Sequence, residues 1–581
     1  MADERTLPIP SQHREFTVKV GGQEVPREHQ LLSAGISIGC NKLGSARLAW
    51  LDGSAAAGGF ALSEADLFKP GQVVEISAGP GTQAVTLFKG IVVRHALRVR
   101  AHSASQLVVE CRHAAMKLAA VRRDRSWFDQ SDSDIIEALV QGAGLQVDVA
   151  ATSPQHKQIV QFHATDWDFL LARALANGLL VWPDGDTLVA RQPSADGTAS
   201  VTLQFGATML EFDGEIDARR QYKAVRGVTW DPAQQEIVEA DAQSPSFTGP
   251  GNLSGDDLAD VAGADALELK HGSLAQAEAQ AWADAAWLLA RLDKVGGRAK
   301  CEGIGTIKPG DVVELAGVGA RFNGPVFVTA VRHDFDTVQG WKTHVQFGGI
   351  ETEPEPLRRE LSAPAAGGLL ARVAGLQVGV VTSNEDPDGE HRVRIRMPMV
   401  SKDDDGTWAR VACPDAGDDR GFFFRPEVGD EVVAGFFDDD PSHPVILGML
   451  HSSAKAAPLK GSDDNPQKVI KSRSGMRVFF DDENKILVLD TPAGNALTLS
   501  EQDKSLTLAD QNGNQIVMDS DGIRIESKKA LSLKAGTEHA MEAGTSLSIK
   551  AGTELKLESS TQAELAGGAL TKVTGTTVMI N

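Results

Sequence analysis

A serine between two glycines is the first feature of the sequence that could carry out chemistry. Gly35–Gly39 reads GISIG and matches the G-x-S-x-G pattern, in which a serine nucleophile sits on a sharp strand-to-helix turn. Here Ser37 lies in an alternating apolar and polar run, which is typical of a strand. The pattern therefore predicts an ordinary strand, and a serine hydrolase is the alternative.

Acidic turns and histidines are the next candidates, because they could hold a divalent cation or zinc. Acidic residues cluster at Asp386–Gly389, Asp403–Gly406 and Asp438–Asp440, but no cluster has the spacing of an EF-hand. The histidines also lack the HExxH or paired Cys/His spacing of zinc sites. Those nearest the acidic turns are His391, His443 and His451. We expect solvated loops, no metal site, no cofactor and no catalytic residue.

Composition and charge exclude several classes of protein. The 581 residues carry 57 Lys and Arg against 79 Asp and Glu, a formal charge of −22, which disfavours binding to nucleic acid or anionic lipid. The 4 cysteines are isolated from one another, so a disulfide framework is not expected. The N-terminus lacks the apolar segment of a signal peptide, and no run of 18 apolar residues occurs. We expect synthesis in the cytoplasm without a signal peptide.

Strand, helix and linker patterns divide the chain into five parts. The fold class is mainly β, with an α+β N-terminal part made of two β-barrels and helices. Helices are predicted at Asp132–Gln141, Thr165–Ala176 and Leu274–Leu292, the third with a capping box formed by Ser273 and Gln276. The expected parts are the two-barrel region 1–355, a linker 356–370, a five-stranded OB barrel 371–451, a linker 452–467 and a C-terminal β-helix 468–581.

The predicted OB barrel lacks the features of a nucleic-acid or sugar reader. Such barrels need basic grooves with aromatic platforms, whereas the loops here are acidic. Its phenylalanines are expected to fill the core or to contact other subunits. They are Phe422, Phe423, Phe424, Phe436 and Phe437.

From Lys534 onward the sequence repeats every eight residues, beginning with AGT at Ala535, Ala543 and Ala551. One position of each octad is always apolar, and because eight is even these side chains point to the same face of successive strands. The column consists of Leu533, Met541, Ile549, Leu557, Leu565 and Val573. The next column alternates in sign, as expected for octads lying side by side.

An octad is too short to hold its shape within one chain. Burying one Leu or Ile contributes roughly 1.5 to 3 kcal/mol, whereas ordering eight residues costs about 8 kcal/mol of backbone entropy. Three copies wrapped around one axis would bury the apolar column and remove open edges. The repeat therefore predicts an intertwined trimer with this column as its core, and a solvent-facing hairpin array is the alternative.

The order of these parts resembles a VgrG-type spike of a contractile injection system. The OB region carries DPDGEHRVRIRMP, WARVACPDAG and RPEVGDEVVAGFF, which are similar to that family's runs, and TDWDFLLARALANGLLV at Thr165–Val181 is similar to a second family segment. The opening segments look closer to extracellular contractile systems and phage tails than to type VI secretion. The resemblance covers nearly the whole chain.

The resemblance implies a mechanical role and a set of partners. It implies a homotrimer at the centre of a baseplate, pushed through a target envelope when the sheath contracts, with inner tube and baseplate proteins at the N-terminal hub. It also implies possible effector cargo, only transient membrane contact, and a phage-tail-like particle that is extracellular after release. A separate PAAR-type tip protein is expected on the chain end, formed by Thr577, Val578, Met579, Ile580 and Asn581.

Three alternatives stay open. The first is a type VI secretion VgrG or a phage or tailocin tail spike in place of an extracellular system. The second is an envelope hydrolase with a site in residues 1–355. The third is a receptor-binding tail protein, which adhesion of the isolated protein to target cells would reveal.

Overall fold

The computed structural model describes residues 15–56, 58–79, 84–231, 236–263, 265–271, 274–349 and 365–580. The chain divides into two compact units, Met1–Lys455 and Ala456–Asn581. The first unit contains the N-terminal region, described over residues 15–349 with gaps, which we call the hub-like region, and the OB barrel. The second unit contains a C-terminal sheet and the octads.

The N-terminal strands form an antiparallel group around one apolar core. Alternating residues such as Ile36, Leu48, Ile76 and Val109 point inward and are fully or almost fully buried. The elements are β1 Glu15–Val20, β2 Gln23–Glu24, β3 Leu31–Gly39, β4 Ser45–Leu51, α1 Ala61–Glu64, β5 Val73–Gly79, β6 Val85–Arg100 and β7 Ser103–Arg112.

Two helices with five strands follow, and both helices begin at side-chain caps. Thr165 Oγ1 accepts a hydrogen bond from the Asp168 amide at 3.0 Å, and Ser131 Oγ accepts one from the Asp134 amide at 3.2 Å. The first two predicted helices are confirmed to within one residue. The elements are β8 Arg122–Ser131, α2 Asp132–Gly142, β9 Gln146–Val149, β10 Gln155–Thr165, α3 Asp166–Ala176, β11 Leu180–Asp184 and β12 Thr187–Arg191.

A second group of strands returns to the first and joins it. The new strand β20 pairs with β3, which links most of these strands and the N-terminal ones into one 13-stranded sheet, whereas β15, β16 and β17 form a separate three-stranded sheet. The sheet packs on two separate apolar cores, one at each half, and the division of this region into two barrels stays a prediction. The elements are β13 Val201–Gln204, β14 Met209–Ile216, β15 Ala224–Asp231, β16 Glu236–Asp241, α4 Gly255–Ala262, β17 Ala266–His271, α5 Gln276–Leu292, β18 Val295–Glu302, β19 Val312–Ala316, β20 Gly324–Asp336 and β21 Gly340–Phe347.

The third predicted helix begins later than expected. It starts at Gln276, and the amide of Ala275 donates to the Glu278 carboxylate at 3.1 Å. The predicted capping box at Ser273 and Gln276 is therefore wrong at Gln276, because that residue is already the first of the helix; Ser273 lies outside the described residues.

The predicted five-stranded barrel is confirmed as a closed barrel, β22-β23-β24-β28-β27. Most of the predicted linker before it lies outside the described residues, but its last part forms a turn, Ala365–Gly368, and Ala366 and Leu370 join the core around α2 and α3. The barrel region consists of β22 Gln377–Ser383, β23 Val393–Arg396, β24 Thr407–Val411, β25 Ala416–Gly417, β26 Arg420–Gly421, β27 Glu431–Phe436 and β28 Pro444–Met449.

The second unit opens with an antiparallel sheet of seven short strands in sequence order. Residues 527–580, which contain the octads, form no strand in this single chain and are almost entirely exposed. The C-terminal region 468–581, expected as one β-helix, thus has two parts. The strands are β29 Gln467–Lys471, β30 Arg477–Asp481, β31 Ile486–Asp490, β32 Ala496–Ser500, β33 Ser505–Ala509, β34 Gln515–Asp519 and β35 Gly522–Glu526.

Candidate functional site: the OB junction and the assembly surfaces

Strand β10 attaches the OB barrel to the hub-like region. The Gln158 side chain bridges the two: its Nε2 donates to the Ser442 carbonyl at 2.7 Å, and its Oε1 accepts from the Trp408 amide at 2.9 Å. The Val160 amide donates to Ser442 Oγ at 3.0 Å. Val160 also shares a small apolar core with Met397 and other residues of the barrel region. These contacts pair backbone groups that would otherwise be buried without partners.

A buried charge network lies behind this junction. The Asp132 carboxylate at the start of α2 accepts two hydrogen bonds from the Arg173 guanidinium on α3, at 2.7 and 2.9 Å, and one from Asn177 Nδ2 at 2.7 Å. His156 of β10 bonds to Asp132 through Nε2, at 3.0 Å, and to the Glu278 carboxylate of α5 through Nδ1. Four elements are therefore held together by charge-assisted bonds.

The network changes the protonation of its members. Burial by itself lowers the pKa of His156, but its hydrogen bonds to Asp132 and Glu278 outweigh burial and raise the pKa to about 9. Burial by itself would raise the pKa of Asp132, but the neighbouring Arg173 and the bond to His156 bring it well below its usual range. His156 is therefore a cation at neutral pH, and the buried charges are paired.

The sequence analysis missed this network. The available signal was Arg173 in the last turn of a predicted helix with Asn177, four residues later and just past its end, because a carboxylate nearby could accept hydrogen bonds from both side chains. Nothing in the sequence indicated that Asp132, Glu278 and His156 would be its partners, because they come from other elements.

The acidic turns of the OB barrel have internal partners. Asp386 accepts two bonds from the Arg392 guanidinium, at 2.9 and 2.8 Å. Asp440 was expected in a solvated turn, which is wrong: it is buried, accepts from the Ser442 amide at 2.8 Å and lies 3.4 Å from His271 Nε2. Within the described ranges, no three His, Cys, Asp or Glu side chains are arranged to hold a metal ion.

Ser37 does not lie on a nucleophile elbow. It occupies the middle of β3, opposite Ser45 on one neighbouring strand and Arg332 on the other. His344 pairs with the far side of Arg332, so it lies two strands from Ser37, about 9–10 Å at the usual strand spacing. This separation is too large for a nucleophile and its base, and the predicted strand is confirmed.

One face of the second unit's sheet is apolar except at Lys468 of its first strand, which pairs with Phe480. Cross-strand register aligns its side chains in two ladders, and within the described residues of this unit no helix or second sheet covers them. The first ladder is Ile470, Val478, Leu489, Leu497, Leu508, Ile516 and Ile525. The second ladder is Phe480, Leu487, Leu499, Leu506, Met518 and Ile523. We call these thirteen residues the apolar face.

The predicted trimer core and the predicted tip site are exposed in the single chain. Side chains of the octad column are between 53% and 80% exposed, from Ile549 to Leu557. Met579 and Ile580 are 87% and 91% exposed, Thr577 and Val578 are exposed as well, and Asn581 lies outside the described residues. Both sets thus present apolar surface that a single copy leaves in water.

Two family models match the chain. Residues 10–337, more than half of the 581 residues, match the family described as Alg8 N-terminal domain. Residues 377–451 match the type VI secretion system/phage-baseplate injector OB domain. The second match coincides with the closed barrel described above.

Relatives of known name match a short segment. The type VI secretion system spike protein VgrG5 of Pseudomonas aeruginosa is 32% identical over 111 residues, which is 18% of this chain and 14% of that protein. The spike protein VgrG3 of Vibrio cholerae is 30% identical over 91 residues, which is 15% of this chain and 9% of that protein. The matched segments therefore span less than a sixth of these curated relatives.

A solved structure extends the likeness to the fold. The structure of the Francisella PdpA-VgrG complex, in a lidded state, aligns with 89% of this chain and 80% of its own at a TM-score of 0.52 and 9% identity. No helix among the described residues is both long and apolar enough to span a bilayer. The chain belongs to the family described as Alg8 N-terminal domain, its residues 377–451 match the injector OB domain, and a segment of it is similar to VgrG spike proteins.

Proposed function

We propose that the chain is the central spike and hub of a contractile injection machine and that it works as a homotrimer which punctures a target envelope. The observation that carries this proposal is the apolar face of the second unit. It continues along the sequence into an exposed octad column of the same character. Both surfaces require partner chains, and identical copies supply matching ones.

The free energy left in the apolar face is large. A fully buried aliphatic or aromatic side chain contributes about 1.5–3 kcal/mol. Eight of its thirteen side chains are 39% to 67% exposed and the other five are partly buried, so on the order of 10 kcal/mol per chain is available to association. A sheet with one such face would otherwise aggregate through it.

Three copies suit both parts of the second unit. A strip of short strands forms one wall, and three walls around an axis enclose the apolar faces in a closed prism. The octads add a column of one apolar residue per turn, from Leu533 to Val573, which three chains bring together on the axis. Because such a shaft has no open edge and a dry core, it would resist bending and unfolding under load.

Partners at the two ends complete the proposed machine. The exposed chain end, Thr577–Ile580, would seat a PAAR-type tip protein, and the hub-like region would contact inner tube and baseplate proteins. Effector cargo would travel with the spike, and contact with the target membrane would be transient. The machine would be a phage-tail-like particle assembled in the cytoplasm and extracellular after release.

We further propose that the chain is not an enzyme. Its relatives carry the name of spike proteins, and the serine of its G-x-S-x-G run lies inside a sheet strand, opposite Arg332 and two strands from His344. His333 on the neighbouring strand is buried, whereas Ser37 is exposed. Two of the acidic residues considered as metal ligands have protein partners instead: Asp386 is paired with Arg392, and Asp440 lies beside His271.

The absolute mass of the purified full-length protein tests the trimer. Light scattering should give about 185 kDa, three times the chain mass of 61.7 kDa. Leu508→Asp places a charge on the apolar face and should shift the mass toward the monomer. Thr507→Asp is the matched control, because Thr507 is the preceding residue on the same strand and faces the other side, so its mass should be unchanged.

The measured masses of the wild type and of Leu508→Asp distinguish the alternatives. A wild-type protein of 61.7 kDa with a folded second unit would refute the trimer. A trimer that Leu508→Asp leaves intact would show that the apolar face is not the contact between copies. The tip proposal has its own test, in which Met579→Asp should abolish binding of a purified PAAR-type protein without changing the mass.

A further inference from the structure

The OB barrel carries an exposed aliphatic surface on strands β22, β27 and β28. Leu376 is 62% exposed, Val378 43% and Leu447 50%. Leu376 and Leu447 flank Gly435 of β27: a Cβ there would lie 3.4 Å from a methyl of Leu447 and 3.7 Å from one of Leu376. Val378 is two residues from Leu376 on the same strand side, opposite Val433. Because Gly435 has no side chain, the surface has a shallow apolar notch, and we call these four residues the aliphatic notch.

The same barrel carries a second apolar surface of different shape. Phe422, Phe423 and Phe424 follow β26 and are 53%, 77% and 60% exposed. The Arg425 guanidinium lies 5.8 Å from the Phe423 ring centre and also donates to the Arg392 carbonyl, which fixes the end of the segment. We call Phe422–Phe424 the phenylalanine loop.

The two surfaces lie at opposite ends of the barrel wall. Asn384 Nδ2 donates to the Pro426 carbonyl at 2.8 Å, which holds the phenylalanine loop close to the end of β22. Leu376 lies just before the start of the same strand. Eight residues of extended chain separate Leu376 from Asn384, or about 26 Å, so one copy cannot bring its own loop onto its own notch.

We propose that the phenylalanine loop of one copy inserts into the aliphatic notch of the next copy, closing a ring of three OB barrels. The inference rests on the proposed homotrimer and names the contact it uses at the barrel. A ring needs a heterologous contact between two different surfaces on each chain, and the barrel has two that differ in shape, a protruding aromatic one and a recessed aliphatic one. A single self-complementary patch would instead close a two-fold dimer.

The surface area that the loop and the notch would bury is that of a weak contact, which adds to the association of the second units. Three rings with these exposed fractions leave about 380 Å² of aromatic surface in water. An equal area on the notch would give about 800 Å² per contact, which is below the 1,200–2,000 Å² of a stable interface. The barrels would therefore not associate strongly alone, and a second copy is the fitting occupant because the apolar face already holds it nearby.

Paired cysteines test the contact in the full-length protein. Phe423→Cys and Leu447→Cys are combined in a Cys413→Ser background, because Cys413 is the exposed cysteine among the four that the structure describes. A short bismaleimide should convert the double variant into a covalent trimer on a denaturing gel. Each single variant should run as a monomer, because in the proposed ring two phenylalanine loops do not touch each other and two aliphatic notches do not touch each other.

Several results would overturn the inference. If the wild type weighs as a trimer but the double variant gives no covalent species, the barrels do not meet in this way, while the proposed function stands. If Phe423→Cys alone yields dimers, the contact is two-fold. If the wild type is a monomer, both proposals fail. Gly435→Val gives a second test: its Cβ has room, at 3.4 Å from its nearest neighbour, yet the filled notch should reduce cross-linking at least tenfold.

Discussion

Replacing Asp132 by asparagine should destabilise the first unit by about 3–5 kcal/mol. The Asp132 carboxylate is buried and is the anion that receives both the Nε and the Nη2 hydrogen bonds of Arg173. Asparagine keeps the size of the side chain but removes the negative charge, so Arg173 would be left as a buried cation without its bidentate partner.

The magnitude follows from the surroundings of the pair. Arg173 is only 5% exposed, so water cannot replace the lost carboxylate without opening the contact between α2 and α3. Removing one partner of such a pair leaves an uncompensated buried charge, and this penalty exceeds the value of the bond itself. The bond from Asn177 Nδ2 to the Asp132 carboxylate, at 2.7 Å, would also lose its charged acceptor, while the bond from Nδ2 to the Arg173 carbonyl, at 3.0 Å, would remain.

Urea unfolding of the full chain measures the effect, at one fixed protomer concentration because association is linked to stability. All nine tryptophans belong to the first unit, and Trp167 lies in the same core as the pair, so tryptophan fluorescence reports the unfolding of this unit. Asp148→Asn is the matched control: it removes the carboxylate of an exposed pair with Arg191, at 2.7 Å, and should cost less than about 1 kcal/mol.

Two results would refute this reasoning. If Asp132→Asn lowers the free energy of unfolding by no more than Asp148→Asn does, burial does not make the loss of the Asp132 charge costly. The double variant Asp132→Asn/Arg173→Met should be less destabilised than the sum of the single variants, because the unpaired cation is gone. Additive losses would mean that the two side chains act independently.

Three further outcomes are expected. The free energy of unfolding should fall as pH rises from 6.5 to about 10, because the pKa of His156 is about 9 in the folded state and 6.5 in the unfolded state. Urea unfolding should record a decrease of about 3 kcal/mol over this range. The variant His156→Gln should not show this decrease. Gln158→Ala should cost about 1–3 kcal/mol by leaving buried backbone groups of the OB barrel without a partner, and should speed hydrogen exchange at the Trp408 amide, which Gln158 now accepts from at 2.9 Å. Ser37→Ala should change stability by less than about 0.5 kcal/mol because Ser37 is exposed, and loss of any envelope-cleaving activity in this variant would contradict its assignment to a strand.

Local patterns sufficed for the elements with strong internal signals. The periodicity and caps of residues 132–141 and 165–176 predicted α2 and α3, because a helix is specified by residues three and four apart. The strand runs of the OB region predicted a barrel, and its closure is confirmed. The octad spacing predicted one apolar column, because a repeat of even length returns each side chain to the same face.

Contacts between distant residues depend on the tertiary structure. The sequence by itself determined the first two of the three predicted helices with their caps and the strands of the OB barrel, since these depend on neighbours along the chain. Only the tertiary structure decided that Asp440, in an apparently solvated turn, is buried beside His271, and that Asp132, His156, Arg173 and Glu278 form one network. The physical reason is that a buried charge needs a partner of opposite sign at a few ångströms, and folding selects that partner by proximity in space.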